Sequence, residues 1–222
     1  MTLALCVIGN GRLDYLHQTI RAAETYLPLH EFAHFLMVDD SGNPEVHLEL
    51  DRCYPEWRIE HHSENRGMAA AVQTGFDLVT ESDSDFVFWL EEDMLLTATP
   101  PLAASIETLD QHTHISQMCY RRRPLNINPD ETRHGCVLAT LCEQSANITQ
   151  HDTWTEYDAL FSLNPSLIPA DICQLGWDPD NEAGMTRKLL AGGYTFGSWG
   201  HPNDQQTWVA HIGDQRGAKW QL

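Results

Sequence analysis

Asp85-Phe86-Val87-Phe88-Trp89-Leu90-Glu91-Glu92-Asp93 is an apolar strand that ends abruptly in three carboxylates. Carboxylates crowded at a strand end repel one another and resist desolvation. A divalent cation carrying a phosphorylated ligand is the simplest way to hold them together. This stretch therefore marks the expected centre of chemistry, and the strand that delivers it sets the expected fold.

On its amino-terminal side the chain alternates strand and helix. Leu3 to Ile8 is apolar, and Asp14 to Leu27 has helical spacing through Leu16, Ile20, Ala23 and Leu27. Phe32 to Val38 reads as a second strand and Trp57 to His61 as a short third. Gly67 to Val79 is alanine-rich and helical, and Phe86 to Leu90 is the fourth strand. The alternation predicts an α/β fold, a mainly parallel sheet with helices on both faces.

In such sheets ligands collect beyond the carboxyl ends of the strands, where three polar clusters fall: Asn10-Gly11-Arg12, Asp39-Asp40-Ser41-Gly42 and Glu91-Glu92-Asp93. A fourth, Asn65-Arg66-Gly67, opens a helix, where unpaired backbone N–H groups and the dipole favour phosphate. Each alone has a plainer reading, Asp-Asp-Ser-Gly as a turn and Asn-Arg-Gly as a helix start. Together they outline a nucleotide pocket.

In order and spacing these clusters resemble the family 2 glycosyltransferases, sugar-nucleotide-dependent enzymes with the GT-A fold, a Rossmann-like αβα sandwich. The resemblance rests on Cys6-Val7-Ile8 leading to Asn10-Gly11-Arg12, on Val38-Asp39-Asp40-Ser41-Gly42, on Asn65-Arg66-Gly67-Met68-Ala69-Ala70-Ala71 and on Phe88-Trp89-Leu90-Glu91-Glu92-Asp93. It implies a single domain, with residues 1–98 as the nucleotide-sugar-binding half and 99–222 as the acceptor half. It also implies that Asp39 and Asp40 read the base and ribose, with Asn10, Arg12, Asn65, Arg66, Gly67, Glu91 and Glu92 around the nucleotide. Glu91-Glu92-Asp93 matches the family's Asp-x-Asp signature with glutamate first. The extra methylene leaves Glu91 in reach of metal, water or ribose, and makes Asp93 the principal metal ligand.

The second half resembles the family more loosely, in the right order. Ala159 to Leu167 matches the strand and turn before the acceptor region, and Gly176-Trp177 precedes the acidic loop Asp178-Pro179-Asp180-Asn181-Glu182. A helix from Met185 then closes on Gly192-Gly193. The family's catalytic carboxylate falls three residues before the helix's first large apolar position, which selects Glu182 as general base, with Asp180 as second choice. A base of this kind needs a partly desolvated setting that raises its pKa, to which Asp178 and Asp180 can contribute. Trp177 and Asp178 are expected at the acceptor, and Trp199 and Tyr194 on the same side, where aromatic faces stack on a sugar or base. The stretch from Tyr194 to Asp204 reads as a flap. Trp208-Val209-Ala210-His211-Ile212-Gly213 resembles the segment that returns a histidine to the metal in GT-A enzymes, so the implied ligands are Asp93, His211 and Glu91, for Mn²⁺ or Mg²⁺.

With 222 residues, 42% of them apolar, the chain can bury one substantial core. The formal charge of −19 and only two lysines, Lys188 and Lys219, repel polyanions, leaving Arg121-Arg122-Arg123 with Arg133 as the one basic cluster. It reads as a solvated loop or as a pyrophosphate contact. Six cysteines without a Cys-x-x-Cys pair argue against a structural zinc site or a disulfide scaffold and read as reduced thiols. Most of the twelve histidines lie in polar contexts such as His61-His62 and His112-Thr113-His114 and read as surface residues. Strand-sized apolar runs and a start without a basic leader predict a soluble cytoplasmic protein that does not insert into membranes. The acceptor is then a soluble glycan, a protein, a small molecule or a modified base in DNA, and the default donor is a uridine diphosphate sugar.

Three other classes compete. Gly9-Asn10-Gly11 invites a dinucleotide-binding oxidoreductase, but Asp14 stands where the third glycine of that fingerprint would fall. A nucleotidyltransferase of related fold would want a basic phosphate loop after the first strand, where Arg12 is the only basic residue nearby. A non-catalytic sugar-nucleotide-binding protein would keep every binding motif.

Overall fold

The computed structural model describes residues 1–120, 138–204 and 206–213. Strands β1 (Leu3–Gly9), β2 (Phe32–Asp39), β3 (Arg58–His61) and β4 (Phe86–Glu91) alternate with helices α1 (Leu13–Tyr26), α2 (Pro44–Cys53) and α3 (Met68–Glu81). Then come β5 (Met94–Leu96), α4 (Leu102–Gln111), β6 (Ile115–Cys119), α5 (Leu138–Gln144), β7 (Ile148–Gln150) and β8 (Trp154–Tyr157). The chain continues through β9 (Ser166–Pro169), α6 (Ala170–Gln174), α7 (Asn181–Ala191), β10 (Thr195–Trp199) and β11 (Val209–His211).

One nine-stranded sheet runs in the order β3-β2-β1-β4-β9-β6-β10-β8-β7. The first four strands are mutually parallel, β9 opposes both β4 and β6, and β10 lies parallel to β6. Only β8 and β9 run against the rest. Every residue of β1 is buried, because helices cover both faces. Leu3, Leu5 and Val7 pack with α1, α2 and α4, through Leu16, Leu50 and Ile106. Ala4, Cys6 and Ile8 pack with α3, α6 and α7, through Phe76, Ile172 and Met185. The expected αβα sandwich around a mainly parallel mixed sheet is the fold observed.

Helix α3 approaches the sheet closely because Gly75 has no side chain. A Cβ there would lie 2.7 Å from the ring of Trp89, which is fully buried. Helix α2 went unassigned in the sequence: only Val46 and Leu50 are buried, too few to make a helical stripe. Its capping is nevertheless legible, with Asn43 accepting the Glu45 N–H at 3.0 Å and Pro44 in the first turn.

The second half departs from expectation in several places. Ala159 to Pro165 is irregular backbone, and the strand is confined to β9; the Phe161 and Leu163 N–H groups bond Thr186 Oγ1 and Glu182 Oε1 instead of a neighbouring strand. Helix α7 starts at Asn181, four residues ahead of Met185. The supposed flap contains β10, whose Phe196, Gly197 and Ser198 are buried between β6 and β8, so its centre is core. Of the aromatic residues assigned to the acceptor side, Trp177 is buried against Phe76 and Phe161, while Tyr194 and Trp199 pack against the two cores. Trp177 therefore serves packing, while Tyr194 and Trp199 are only partly buried.

The described cysteines are unbridged, with Cys6, Cys119 and Cys173 buried, in line with reduced thiols. No described helix is long and apolar enough to cross a membrane. The basic cluster Arg121-Arg122-Arg123 with Arg133 lies outside the described residues, as do Cys136 and Lys219.

Candidate active site at the carboxyl ends of the strands

Parallel register brings the polar clusters together. Gly9 pairs with Asp39 across β1 and β2, and Ile8 pairs with Glu91 across β1 and β4. Beyond these pairs the chain leaves the sheet, and each carboxylate finds a separate task.

Glu92 turns toward the loop after β1. Its Oε2 accepts the N–H groups of Asn10 (3.0 Å) and Arg12 (3.2 Å), and its Oε1 accepts from Arg12 Nε at 2.5 Å. A Cβ on Gly9 would meet that same Oε2 at 2.9 Å, so glycine admits the carboxylate. Glu92 thereby fixes the path of Asn10-Gly11-Arg12. Burial raises its pKa, a shift that Arg12 and the Asn10 N–H only partly offset.

Asp93 meets the far end of the chain. β5 and β11 form a separate antiparallel pair in which His211 lies opposite Met94, and Ile212 N–H bonds the Asp93 carbonyl at 2.8 Å. His211 Nε2 then sits 3.2 Å from Asp93 Oδ2. Arg12 Nη2 donates to the same oxygen at 2.8 Å, with its guanidinium over the Tyr15 ring. Gly213 closes this corner: a Cβ would come within 2.2 Å of Asp93 Oδ2 and 3.1 Å of His211 Nε2. Burial acts to raise the Asp93 pKa, but His211 and Arg12 outweigh it and hold the carboxyl below its usual range.

Glu91 ends β4 on the face of Val87 and Trp89, which α3 and α7 cover. Its pKa is pushed up to about 8, by burial first and then by the charges of Asp93, Glu182 and Glu92. The Glu182 charge reaches Glu91, so the start of α7 lies near the end of β4. Glu182 is half-buried, and its Oε1 accepts the Leu163 N–H at 2.7 Å. Asp178 accepts the Asp180 N–H at 2.9 Å and packs on Gly184, where a Cβ would clash at 1.9 Å. Asp180 is exposed and paired with Arg187 at 2.8 Å, turned outward rather than toward the strand ends.

The adjacent carboxylates of β2 also diverge. Asp39 faces the α1/α2 layer, with Oδ1 accepting the Ser41 N–H at 3.0 Å and Oδ2 lying 3.1 Å from His61 Nδ1 and 3.4 Å from His47 Nε2. Asp40 faces α3 and accepts the N–H groups of Arg66 (2.7 Å) and Gly67 (2.8 Å), with His62 Nδ1 at 2.7 Å. It anchors the start of α3, where Gly67 has φ +86°, a backbone region that favours glycine. Asn65 Nδ2 donates to the Asp40 carbonyl at 2.8 Å, while the Arg66 side chain is exposed. The pair expected at base and ribose is thus bound into the protein's own loops.

Sequence reasoning missed His62 and Gly184, and it read Gly213 only as part of the segment that carries His211. His62 is 4% exposed, not a surface residue, and is held between Asp40 and Thr74. Gly213 and Gly184 each make room for a carboxylate. Their signal was faint, a glycine close to a histidine or an acid.

Asp93 and His211 fit a divalent cation, since an oxygen and an imidazole nitrogen 3.2 Å apart suit neighbouring positions on a metal of six-coordinate type. Glu91 does not join them in a three-ligand group within 4.8 Å among the described residues. Two other trios meet that spacing, Asp39 with His47 and His61, and His17 with Glu49 and Cys53.

No model of a known protein family matches the chain. No curated protein sequence matches it either. Solved structures do match in fold. A mannosyltransferase from Pyrobaculum calidifontis, in complex with GDP-mannose and Mn²⁺, superposes with a TM-score of 0.64 at 14% identity, over 97% of this chain and 58% of its own. TarS of S. aureus, in complex with UDP-GlcNAc, gives 0.64 at 11% identity, over 98% and 60%. GalNAc-T7 with UDP, GalNAc and Mn²⁺ gives 0.65 at 11%, over 96% and 44%. The chain therefore spans no more than 60% of these proteins. Similarity at this identity establishes a GT-A-like glycosyltransferase fold.

Proposed function

We propose that the chain is a metal-dependent glycosyltransferase that moves a sugar from a nucleoside diphosphate sugar, with a uridine donor favoured, to an acceptor hydroxyl with inversion. The observation that carries this reading is the 3.2 Å approach of His211 Nε2 to Asp93 Oδ2 at the carboxyl end of a parallel sheet. Bound there, Mn²⁺ or Mg²⁺ would supply positive charge for the diphosphate leaving group. Mixed imidazole and carboxylate donors favour Mn²⁺ of the two.

The protein's own groups do the rest. Residues 1–98 hold the donor: Asn10, Arg12, Asn65, Arg66 and Gly67 border the nucleotide, while Asp39, Asp40 and Glu92 fix the loops that carry them. Residues 99–222 present the acceptor, with Asp178 at its edge. Glu182, half-buried on the Glu91 side of the strand end, takes the proton of the attacking hydroxyl. The acceptor is a soluble glycan, a protein, a small molecule or a modified DNA base.

One observation favours a second reading. The Arg12 guanidinium already neutralises Asp93 and Glu92 where the cation would sit, an arrangement that suits cation-free binding of a sugar nucleotide without turnover. A nucleotide-release assay over UDP- and GDP-sugars, with and without Mn²⁺, separates the two. Release stimulated by Mn²⁺ supports transfer. Donor binding that ignores Mn²⁺, with no release for any acceptor class, supports the second reading.

A further inference from the structure

Asp39, His47 and His61 come from three elements, β2, α2 and β3, and converge on one point. Asp39 pairs with His61 across the β2–β3 register, so both side chains emerge on the same face. Helix α2 covers that face and brings His47 onto it, its ring 4.5 Å from that of His61. Asp39 is 1% exposed, and the buried Nε2 of His47 lies at ion-pair distance from its carboxylate without a well-formed hydrogen bond to it. Buried polar atoms that meet without bonding call for a reason.

The spacing supplies one. Two ligand atoms about 2.0–2.1 Å from a tetrahedral zinc lie about 3.3–3.4 Å from each other. Asp39 Oδ2 lies 3.1 Å from His61 Nδ1 and 3.4 Å from His47 Nε2, with all three donor atoms within 4.8 Å of one another. The outer nitrogen of His61 is also prepared, since Nε2 lies 3.0 Å from Asp51 Oδ1. A carboxylate on the far nitrogen of a histidine fixes the tautomer that leaves the near nitrogen's lone pair for a metal.

We propose that Asp39 Oδ2, His47 Nε2 and His61 Nδ1 form a binding site for a borderline divalent transition cation of the Zn²⁺ class, with Asp51 orienting His61. Two imidazoles and one carboxylate select such a cation over Mg²⁺ or Ca²⁺, which prefer all-oxygen cages. The site shares no residue with the Asp93–His211 pair, and its existence does not depend on glycosyl transfer. Occupied, it would clamp α2 onto the edge of the sheet and stabilise the fold by mass action.

Zn²⁺ titration of the chelator-treated chain by calorimetry tests this, with Co²⁺ absorption as a second readout of four-coordinate binding. The expected result is a site retained in Asp93→Ala and Cys53→Ser. In His47→Gln its affinity falls by more than the roughly 10–100-fold that an orienting partner costs, and in Asp51→Asn by about that amount. Asp51 is exposed, so Asp51→Asn reports even where His47→Gln fails to fold. Zn²⁺ affinity unchanged in Asp51→Asn and His47→Gln would overturn the proposal, as would loss of the site in Cys53→Ser or Asp93→Ala.

Discussion

Arg12 Nη2 and Asp93 Oδ2 lie 2.8 Å apart, so the loop after the first strand is ion-paired to the carboxylate that ends the fourth. Burial works against the guanidinium charge, but Glu92 and Asp93 outweigh it and raise the Arg12 pKa. The two carboxylates are nearly buried, and neither can be left alone cheaply. Arg12→Met should therefore cost about 3 kcal/mol, the low end for stranding a buried charge, since Arg12 itself is partly exposed. Urea unfolding measures this. If Mn²⁺ binds at Asp93, it should restore part of the loss, and a cost near zero without metal would contradict the pairing.

Gly213→Ala places a methyl 2.2 Å from Asp93 Oδ2. The carboxylate cannot swing aside without losing Arg12 or His211, so the substitution should displace the site while leaving the two cores untouched. The expected outcome is at least a tenfold fall in Mn²⁺ affinity with unchanged circular dichroism. Equal affinity in the two proteins would show that Asp93 and His211 do not hold the ion together.

Strands β1, β2 and β4 were legible because they are largely buried and read as apolar runs that end in polar clusters, whereas the exposed edge strand β3 shows only a short run. The Asp93–His211 contact was legible only through resemblance, since no local pattern links residues so far apart in the chain. What the sequence concealed is direction. Asp39 and Asp40 look like one acidic pair, yet strand alternation sends one carboxylate to the histidines of α2 and β3 and the other to the start of α3. Trp177 likewise carries no mark in the sequence that distinguishes a buried ring from an exposed platform. Such choices are made by tertiary packing.

Glu156 on β8 gives a stability test remote from the site. Burial acts to raise its pKa, but the Thr195 hydroxyl at 2.7 Å and the nearby His151 and His114 outweigh it and lower the value. A carboxyl depressed on folding stabilises the protein above its unfolded pKa and loses that contribution as pH falls through the folded one. The stability gap between the native chain and Glu156→Gln should therefore be widest near neutrality and narrow through the acidic carboxylate range. Thermal unfolding at several pH values measures it, and a gap that widens on acidification would reverse the sign.

Glu182→Gln separates catalysis from architecture. Glutamine keeps an oxygen for the Leu163 N–H, so the irregular segment before β9 retains its anchor and α7 its position. The ability to take a proton disappears, together with the negative charge. General-base removal costs about 10²–10⁴-fold in rate, so kcat for transfer should fall in that range while the Kd for nucleotide stays within about twofold. Removing the negative charge also relieves Glu91, whose pKa is raised in part by Glu182, so the Glu91 titration should move down from about 8. Carboxyl NMR reads that shift without any substrate. Transfer at the native rate in Glu182→Gln, together with the downward shift of Glu91, would place Glu182 beside the strand end yet remove it from the chemistry.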